Sequence, residues 1–360
     1  MIVDVIVVGA GPSGALLAYL LAKKNIHVLL LERTNEIAQT FRGEHLNEEG
    51  ESILRKHGLY EDVERLGALK MEQLEYWLNG DVIKTIYPST KDGHLGIHVP
   101  QAHLLQTILK HANELPTFQH CLKSRVCDLL KDENGRIIGV VANRDGKTVN
   151  INSNLVIGAD GRYSTVRKKA NMKANIRKHG YDLLWARIPA PPNWAPSIKM
   201  ALVDDMQISI FTQVHGYVQI GWNIPENSYS TLRKQPFQQL IDKLTNAFPE
   251  LRSSIEQHIT SWQDFVALDV FSSKCDEWVQ DGLALIGDAV HTMTPTGAFG
   301  LNSAMRDADI LASYITKEKL EQLNVNRIAQ QRKLEIDQIQ ALQIKRESTF
   351  LQHFEGVLIS

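Results

Sequence analysis

Val3-Asp4-Val5-Ile6-Val7-Val8-Gly9-Ala10-Gly11-Pro12-Ser13-Gly14 opens the chain, and it runs on to Leu29-Leu30-Leu31-Glu32-Arg33. Residues 3–8 are almost wholly apolar, as a central parallel strand is. The glycines fit G-x-G-x-x-G. In such a turn Gly9 permits the tight bend, Gly11 lets a pyrophosphate come close, and Gly14 lets the helix pack on the strand. Pro12 suits the first helical turn, where its missing N–H costs nothing. Leu17, Leu20 and Leu21 form an apolar stripe at helical spacing, with Ala18 and Ala22 beside it. Residues 27–31 make the second strand. Glu32 closes it, where a carboxylate can accept the hydroxyls of an adenosine ribose. The helix N-terminus offers free N–H groups and a positive dipole to phosphates. A glycine-rich turn in an unrelated βαβ unit is the bland alternative. The strand before, the helix after and the spacing to the acid favour dinucleotide binding, without separating NAD from FAD.

A chain of 360 residues, 43% of them hydrophobic, can bury roughly three quarters of its unfolded surface, usually as more than one domain. With 39 basic and 41 acidic residues the formal net charge is -2, so there is no global basic field and no nucleic-acid partner is expected. Cys121, Cys127 and Cys275 form no C-x-x-C pair, and reduced thiols in a cytoplasmic protein are the plain reading. The apolar N-terminus contains Asp4 and turns into the glycine motif, so it reads as a core strand, not a signal segment. No run of about 18 apolar residues predicts a transmembrane helix.

Further along, Asn47 predicts a helix over 48–57, ended by Gly58. Residues 71–87 read as two strands joined by Asn79-Gly80. A helix is expected over 101–112. An antiparallel meander is expected over 124–130, 137–143 and 147–152, with Asn134-Gly135 and Asp145-Gly146 as its turns. Leu155-Val156-Ile157-Gly158-Ala159-Asp160-Gly161 is a further buried strand ending in a glycine turn. Strands follow over 183–188, 199–203, 207–212 and 217–224, a block that carries Trp185, Trp194 and Trp222. Helices over 236–247 and 251–259 and a strand over 264–270 lead to Gly282-Leu283-Ala284-Leu285-Ile286-Gly287-Asp288. After this third buried strand come Thr294-Pro295-Thr296-Gly297-Ala298-Phe299-Gly300 and a helix over 301–315. The amphipathic, charged tail over 320–354 reads as helical, packed on its own domain rather than on a partner.

The order and spacing of Gly9-x-Gly11-x-x-Gly14 with Glu32, Gly158-Ala159-Asp160-Gly161, and Gly287-Asp288-Ala289-Val290-His291-x-x-x-Pro295-x-Gly297-x-x-Gly300-Leu301-Asn302 resemble one family. It is the single-component FAD-dependent aromatic hydroxylases, the para-hydroxybenzoate hydroxylase type, and the likeness spans about residues 2 to 316. The resemblance implies an α/β fold: a Rossmann-like FAD-binding domain with a β-sheet substrate domain and C-terminal helices. It implies non-covalent FAD held by Gly9, Gly11, Pro12, Ser13, Gly14, Glu32, Arg33, Arg42, Gln101, Val126, Asp160, Gly161, Gly287 and Asp288. Arg42 then stands on the FAD side of the crevice, Gln101 at the ribityl-phosphate, and Asp160 and Gly161, with Arg167 downstream, in the DG motif linked to both FAD and NAD(P)H. Asp288 is implied at the ribityl chain, Pro295 on the reaction face, and Gly297, Gly300, Leu301 and Asn302 at the flavin ring. Helix capping after a strand is the alternative role for Asp160 and Asp288. His45 and Pro295 are the catalytic candidates, although a packed or solvated histidine is the commoner fate of a residue like His45. Trp185, Phe211, Gln213, Gln219 and Trp222 are candidates for the substrate wall, against ordinary sheet packing.

All three motifs fall outside the β-rich blocks. The expected arrangement is a discontinuous FAD-binding domain of 1–70, 98–180 and 270–335, a substrate domain of 71–97 and 181–269, and a helical tail of 336–360. The implied activity is NADPH- or NADH-driven monooxygenation of an aromatic or other electron-rich small molecule by O2, through a flavin C4a-hydroperoxide, in a monomer or homodimer. No metal site is expected. A double-bond (isoprenoid) reductase shares the fold and is the alternative. A flavin-dependent halogenase would carry W-x-W-x-I-P, and here the stretch is Ile220-Gly221-Trp222-Asn223-Ile224-Pro225, without the first tryptophan. A non-catalytic FAD-fold protein, as with the GDP-dissociation inhibitors of small GTPases, would lack the intact turn from Pro295 to Asn302.

Overall fold

The computed structural model describes residues 2–37, 44–89, 93–204, 206–317 and 326–354. The chain divides into two compact units. One comprises Met1–Leu66, Gln101–Arg177 and Ser272–Gln343; the other comprises Gly67–Pro100, Lys178–Phe271 and Ile344–Ser360.

In the first unit the strands Phe118–Cys121, Val28–Leu31, Ile2–Val8, Lys147–Gly158 and Leu283–Leu285 lie side by side in that order, all parallel. Val5 pairs with Val28 on one side and Leu155 on the other. The opening strand is therefore flanked on both sides and buried from Val5 to Val8, which is why that part of its sequence is a continuous apolar run. The chain first steps to one side of this strand and later returns to the other. That reversal makes the topological switch point at whose carboxyl edge open α/β sheets bind ligands. The three sequence motifs all stand at that edge: Gly9 after Val8 with Glu32 after Leu31, Ala159-Asp160 after Gly158, and Gly287-Asp288 shortly after Leu285.

The last strand of the meander and the strand after it, expected as separate, are one strand, Lys147–Gly158. Its first half pairs antiparallel with Ile137–Arg144, its second half parallel with Ile2–Val8. Asn152-Ser153-Asn154 interrupts the apolar pattern but holds neither glycine nor proline, so nothing ends the strand. Helix Pro12–Ala22 is buried along almost its whole length and packs against helix Phe299–Tyr314. A short helix, Tyr60–Gly67, escaped the sequence reading.

The second unit is built on a seven-stranded sheet in the order Val266–Leu268, Tyr181–Pro189, Tyr217–Pro225, Met206–Gln213, Ser197–Val203, Gln73–Leu78, Asp81–Ile86. Asn79 (φ 46) and Gly80 (φ 99) make the hairpin turn with both central residues left-handed, as their residue types require. One face of the sheet packs under helices Phe237–Ala247 and Arg252–His258, with Trp77, Ile208, Ile220, Trp222, Leu240 and Phe248 in that core. On the other face Phe350 and Phe354 pack over Tyr76 and Met200.

Of the tail expected over 336–360, the residues up to Ser348 continue a helix that begins at Asn326. Helix Asn326–Ser348 is continuous; it belongs to the first unit up to Gln343 and to the second from Ile344. Among the described residues no helix is long and apolar enough to cross a membrane, and no cluster of metal-ligating side chains occurs.

Candidate functional site

The glycine turn is built by close contact on two sides and left open on the third. A Cβ on Gly9 (φ +103) would lie 2.4 Å from the Ala159 carbonyl oxygen, and one on Gly14 would lie 2.0 Å from the Gly9 carbonyl oxygen. A Cβ on Gly11 would meet nothing within 4 Å. Gly11 faces a cavity of about 290 Å³ whose wall also includes Pro12, Glu32, Arg33, Gln101, Val126, Asp160 and Gly161. With Gly9, which also lines it, nine of the residues expected at a dinucleotide thus meet around one cleft. Ser13 is different. It is buried, and its Oγ would lie 2.7 Å from a Cβ on Gly287 (φ +58), so it packs two motifs together.

Glu32 accepts the Ala10 N–H at 2.9 Å and both the N–H and the hydroxyl of Thr34 at 3.0 Å. These bonds fix the carboxylate at the turn. An ionised carboxylate has about four acceptor positions, so capacity for one ribose hydroxyl remains beside these three bonds. The Gln101 N–H donates to Glu44 Oε1 at 3.2 Å, which holds the start of its helix at the cleft. Arg42 lies outside the described residues.

The two motif aspartates behave differently. Asp160 accepts the Ser164 hydroxyl, the Thr165 N–H at 2.7 Å and the Val166 N–H at 3.1 Å, so it closes the start of helix Thr165–Lys169 while lining the cleft. Burial pushes its carboxyl above the usual range, against the pull of those bonds. Asp288 caps nothing; its Oδ2 stands 4.0 Å from Arg162 Nε. The capping role fits Asp160, and Asp288 keeps a carboxylate available to a ligand.

Behind Asp288 lies a buried charge cluster. Asp307 accepts the Gly287 N–H at 2.8 Å, His291 Nε2 at 2.7 Å and Arg332 Nε at 2.8 Å. His291, Arg332 and the Gly287 N–H hold its carboxyl down at about 2, although burial alone would raise it. The turn that follows is open and strained. Pro295 and Gly297 are exposed, Gly297 has φ +75, and Ala298, not a glycine, has φ 55. A left-handed alanine costs of the order of 1–3 kcal/mol, the kind of strain that collects at ligand sites. A Cβ on Gly300 would meet only Met293 Cβ, at 3.9 Å. No side chain caps helix Phe299–Tyr314. Leu301 is part-buried in its first turn.

Asn302 spends its side chain internally. Its Oδ1 accepts the Asn47 N–H at 3.1 Å, and its Nδ2 donates to the carbonyls of Ala298 at 2.8 Å and His45 at 3.2 Å. It joins His45 to the open turn by a backbone bond and offers a ligand no free amide. His45 itself is part-buried on strand His45–Leu46.

The substrate-wall candidates separate by strand parity. Across the sheet of the second unit Phe211 is directly opposite Gln219, Gln213 opposite Tyr217, and Trp185 opposite Gly221. These share one face, where the Trp185 and Phe211 rings stand 6.1 Å apart and Gln213 Nε2 donates to Gln219 Oε1 at 2.5 Å. Trp222 is a correction. It sits an odd number of residues from Gln219 on the same strand, so it points to the opposite face, buried under the helices and stacked on Trp262 at 6.5 Å.

A profile of the FAD binding domain family matches residues 2–322. The chain belongs to this family. Among its relatives is 6-methylpretetramide 4-monooxygenase of Streptomyces rimosus, 31% identical over 359 residues, covering 97% of this chain and 84% of the relative. Digeranylgeranylglycerophospholipid reductase 1 of Methanococcoides burtonii is 28% identical over 349 residues, 90% of this chain and 76% of its own. Among solved structures, P. aeruginosa PqsL in complex with 2-aminobenzoylacetate superimposes with a TM-score of 0.84 at 20% identity over the full length of both chains. p-Nitrophenol 4-monooxygenase PnpA of Pseudomonas putida gives 0.78 at 18% identity, over 97% of this chain and 89% of its own. The chain is an FAD-dependent oxidoreductase of the monooxygenase type. Its residues fit the cofactor: Gly11 leaves room a Cβ would fill, Asp288 is free of capping, and a helix start without a side-chain cap lies behind the open turn.

Proposed function

We propose that this FAD-dependent enzyme hydroxylates an aromatic small molecule, using NADPH or NADH as reductant and O2 as oxygen source. The observation that carries the reading is the turn 295–300 with its uncapped helix behind it. Left-handed Gly297 and Ala298, and a Gly300 free of close neighbours, let a flat ring approach the backbone. The helix start then offers positive dipole and N–H groups to a ring that gains negative charge. When bound, the flavin supplies hydride acceptance and oxygen activation; the protein supplies binding, orientation and exclusion of water.

Glu32 takes the adenosine ribose, and the Gly11 turn with helix Pro12–Ala22 takes the pyrophosphate. Asp288 takes the ribityl hydroxyls. FAD is bound without a covalent bond; no cysteine occurs in the motifs. The sheet face of Trp185, Phe211, Gln213 and Gln219 takes the substrate, the rings by stacking and the two buried amides by hydrogen bonding to its polar edge. Unpaired cysteines at 121, 127 and 275 suit a reducing cytoplasm.

The test is a screen of phenols, quinolones and other heteroaromatics for stimulated NAD(P)H oxidation, followed by isotope analysis of the product under labelled O2. Oxygen from O2 in the product is the expected result. Product formed without oxygen, with a double bond saturated, would transfer the chain to the reductase reading that its Methanococcoides burtonii relative represents.

A further inference from the structure

The family match ends at residue 322, and helix Asn326–Ser348 lies beyond it. Side chains from that helix nevertheless reach the segment that carries the open turn. Gln340 Nε2 donates to the carbonyls of Ser273 at 3.1 Å and Thr292 at 3.0 Å. Gln343 Nε2 donates to those of Thr294 at 2.8 Å and Thr296 at 2.7 Å. Arg332, almost wholly buried, reaches Asp307 and through it Gly287. Positions 332, 336, 339, 340 and 343 recur at helical spacing, and Ile336 and Ile339 pack in the core between the polar reaches.

The carbonyls held in this way bracket Pro295 and lead straight into the left-handed pair Gly297-Ala298. A strained turn persists only when its surroundings over-determine it. Here the two flanking carbonyls, on Thr294 and Thr296, are gripped by one amide group. Gln343 is 1% exposed, and its Oε1 is buried with no hydrogen-bond partner among the described residues. A buried unpaired acceptor is costly, so the side chain is retained for its donor end.

We propose that Gln343 and Gln340 are positioning residues of the flavin site. They fix turn 295–300 from behind, and the C-terminal helix is thereby part of the site. This rests on the reading of that turn as the ring-binding segment. The test uses the full chain, with FAD affinity measured by fluorescence titration of the apoprotein, the visible spectrum of bound flavin, and the melting temperature of the apoprotein. Gln343→Leu keeps the volume and removes both donors; Gln343→Lys restores a donor to the two carbonyls. Gln331→Leu, on the exposed side of the same helix, is the control. We expect Gln343→Leu to weaken FAD binding about tenfold or more and to shift the flavin bands toward those of free flavin. Gln343→Lys should recover most of the affinity, and Gln331→Leu should change neither. Should Gln343→Leu not fold, Gln340→Leu carries the same comparison. Wild-type affinity and spectrum in the glutamine variants, or a loss of melting temperature with the flavin spectrum unchanged, would overturn the proposal. An enzyme that binds FAD as described but oxygenates no aromatic would overturn the functional reading and leave this one standing.

Discussion

Arg167 donates through Nη1 to the carbonyl of Ala289 at 2.6 Å, 122 residues further along the chain. Its other arm, Nη2, donates to the Arg162 carbonyl at 3.0 Å. One buried guanidinium thus ties the loop after Gly158 to the loop after Leu285, and so fixes the spacing of two motif segments. Arg167→Met leaves two carbonyls without donors, at roughly 1–3 kcal/mol each. Urea unfolding of the apoprotein should show that loss, with Arg167→Lys intermediate and added FAD recovering part of it by mass action. Equal midpoints for wild type and Arg167→Met would show the tie to be idle.

The glycine turn allows two substitutions with opposite signatures. A side chain on Gly11 meets open space, so Gly11→Val should leave apoprotein stability near wild type and abolish measurable FAD binding. A side chain on Gly14 would collide with the Gly9 carbonyl at 2.0 Å, so Gly14→Val should destabilise the apoprotein itself. Melting curves with and without FAD separate the two cases.

Asp307 makes stability depend on acid. Its carboxyl falls from 3.8 to about 2 on folding, worth roughly 2–3 kcal/mol at 1.36 kcal/mol per pH unit. A depressed carboxyl contributes stability that is present above its unfolded value and lost as pH falls through its folded value. Stability should therefore decline from about pH 4 to about pH 2 more steeply in wild type than in Asp307→Asn. Asp160, pushed upward by burial, has the opposite sign, its contribution being present at low pH and lost as pH rises through its folded value. Denaturant midpoints across the acid range test the first directly, and Asp160→Asn tests the second.

Trp222 and Phe211 sit on opposite faces of one sheet, and their substitution should divide accordingly. Trp222→Ala empties a packed core position and should cost roughly 3–5 kcal/mol. Phe211→Ala should leave the melting temperature closer to wild type and raise KM, or the share of NAD(P)H oxidised without product, for the aromatic substrate. A Phe211→Ala enzyme with unchanged KM and coupling would remove that face from the substrate site.

Much of the first unit was legible because its signals are local. An apolar run, three glycines and an acid at a fixed distance need no tertiary information, and Asn47 and the strand ends announce themselves in the same way, as Asn79-Gly80 does in the second unit. The face of a strand residue was legible too: Trp222 stands three residues from Gln219, and parity alone sends it to the other side. Asp160 was harder. A carboxylate after a strand serves as cap or ligand according to which N–H groups turn toward it, and only the fold orients those. Gln340, Gln343 and Arg332 carried no signal at all. A polar residue on an amphipathic helix looks solvated until the loop it supports, some fifty residues away, is in place.

Helix Asn326–Ser348 makes the open turn depend on a segment remote from the glycine turn. The segment from Gly9 to Glu32 stands roughly three hundred residues ahead of the donors at 340 and 343. A nascent chain halted before residue 326 already carries the nucleotide end of the cleft, while the turn meant for the isoalloxazine has lost its backing. Such a fragment should recognise AMP or ADP better than it distinguishes FAD from them. The glycine turn and the backing of turn 295–300 are thus separable in fragments of this chain, because they draw on segments far apart in its sequence.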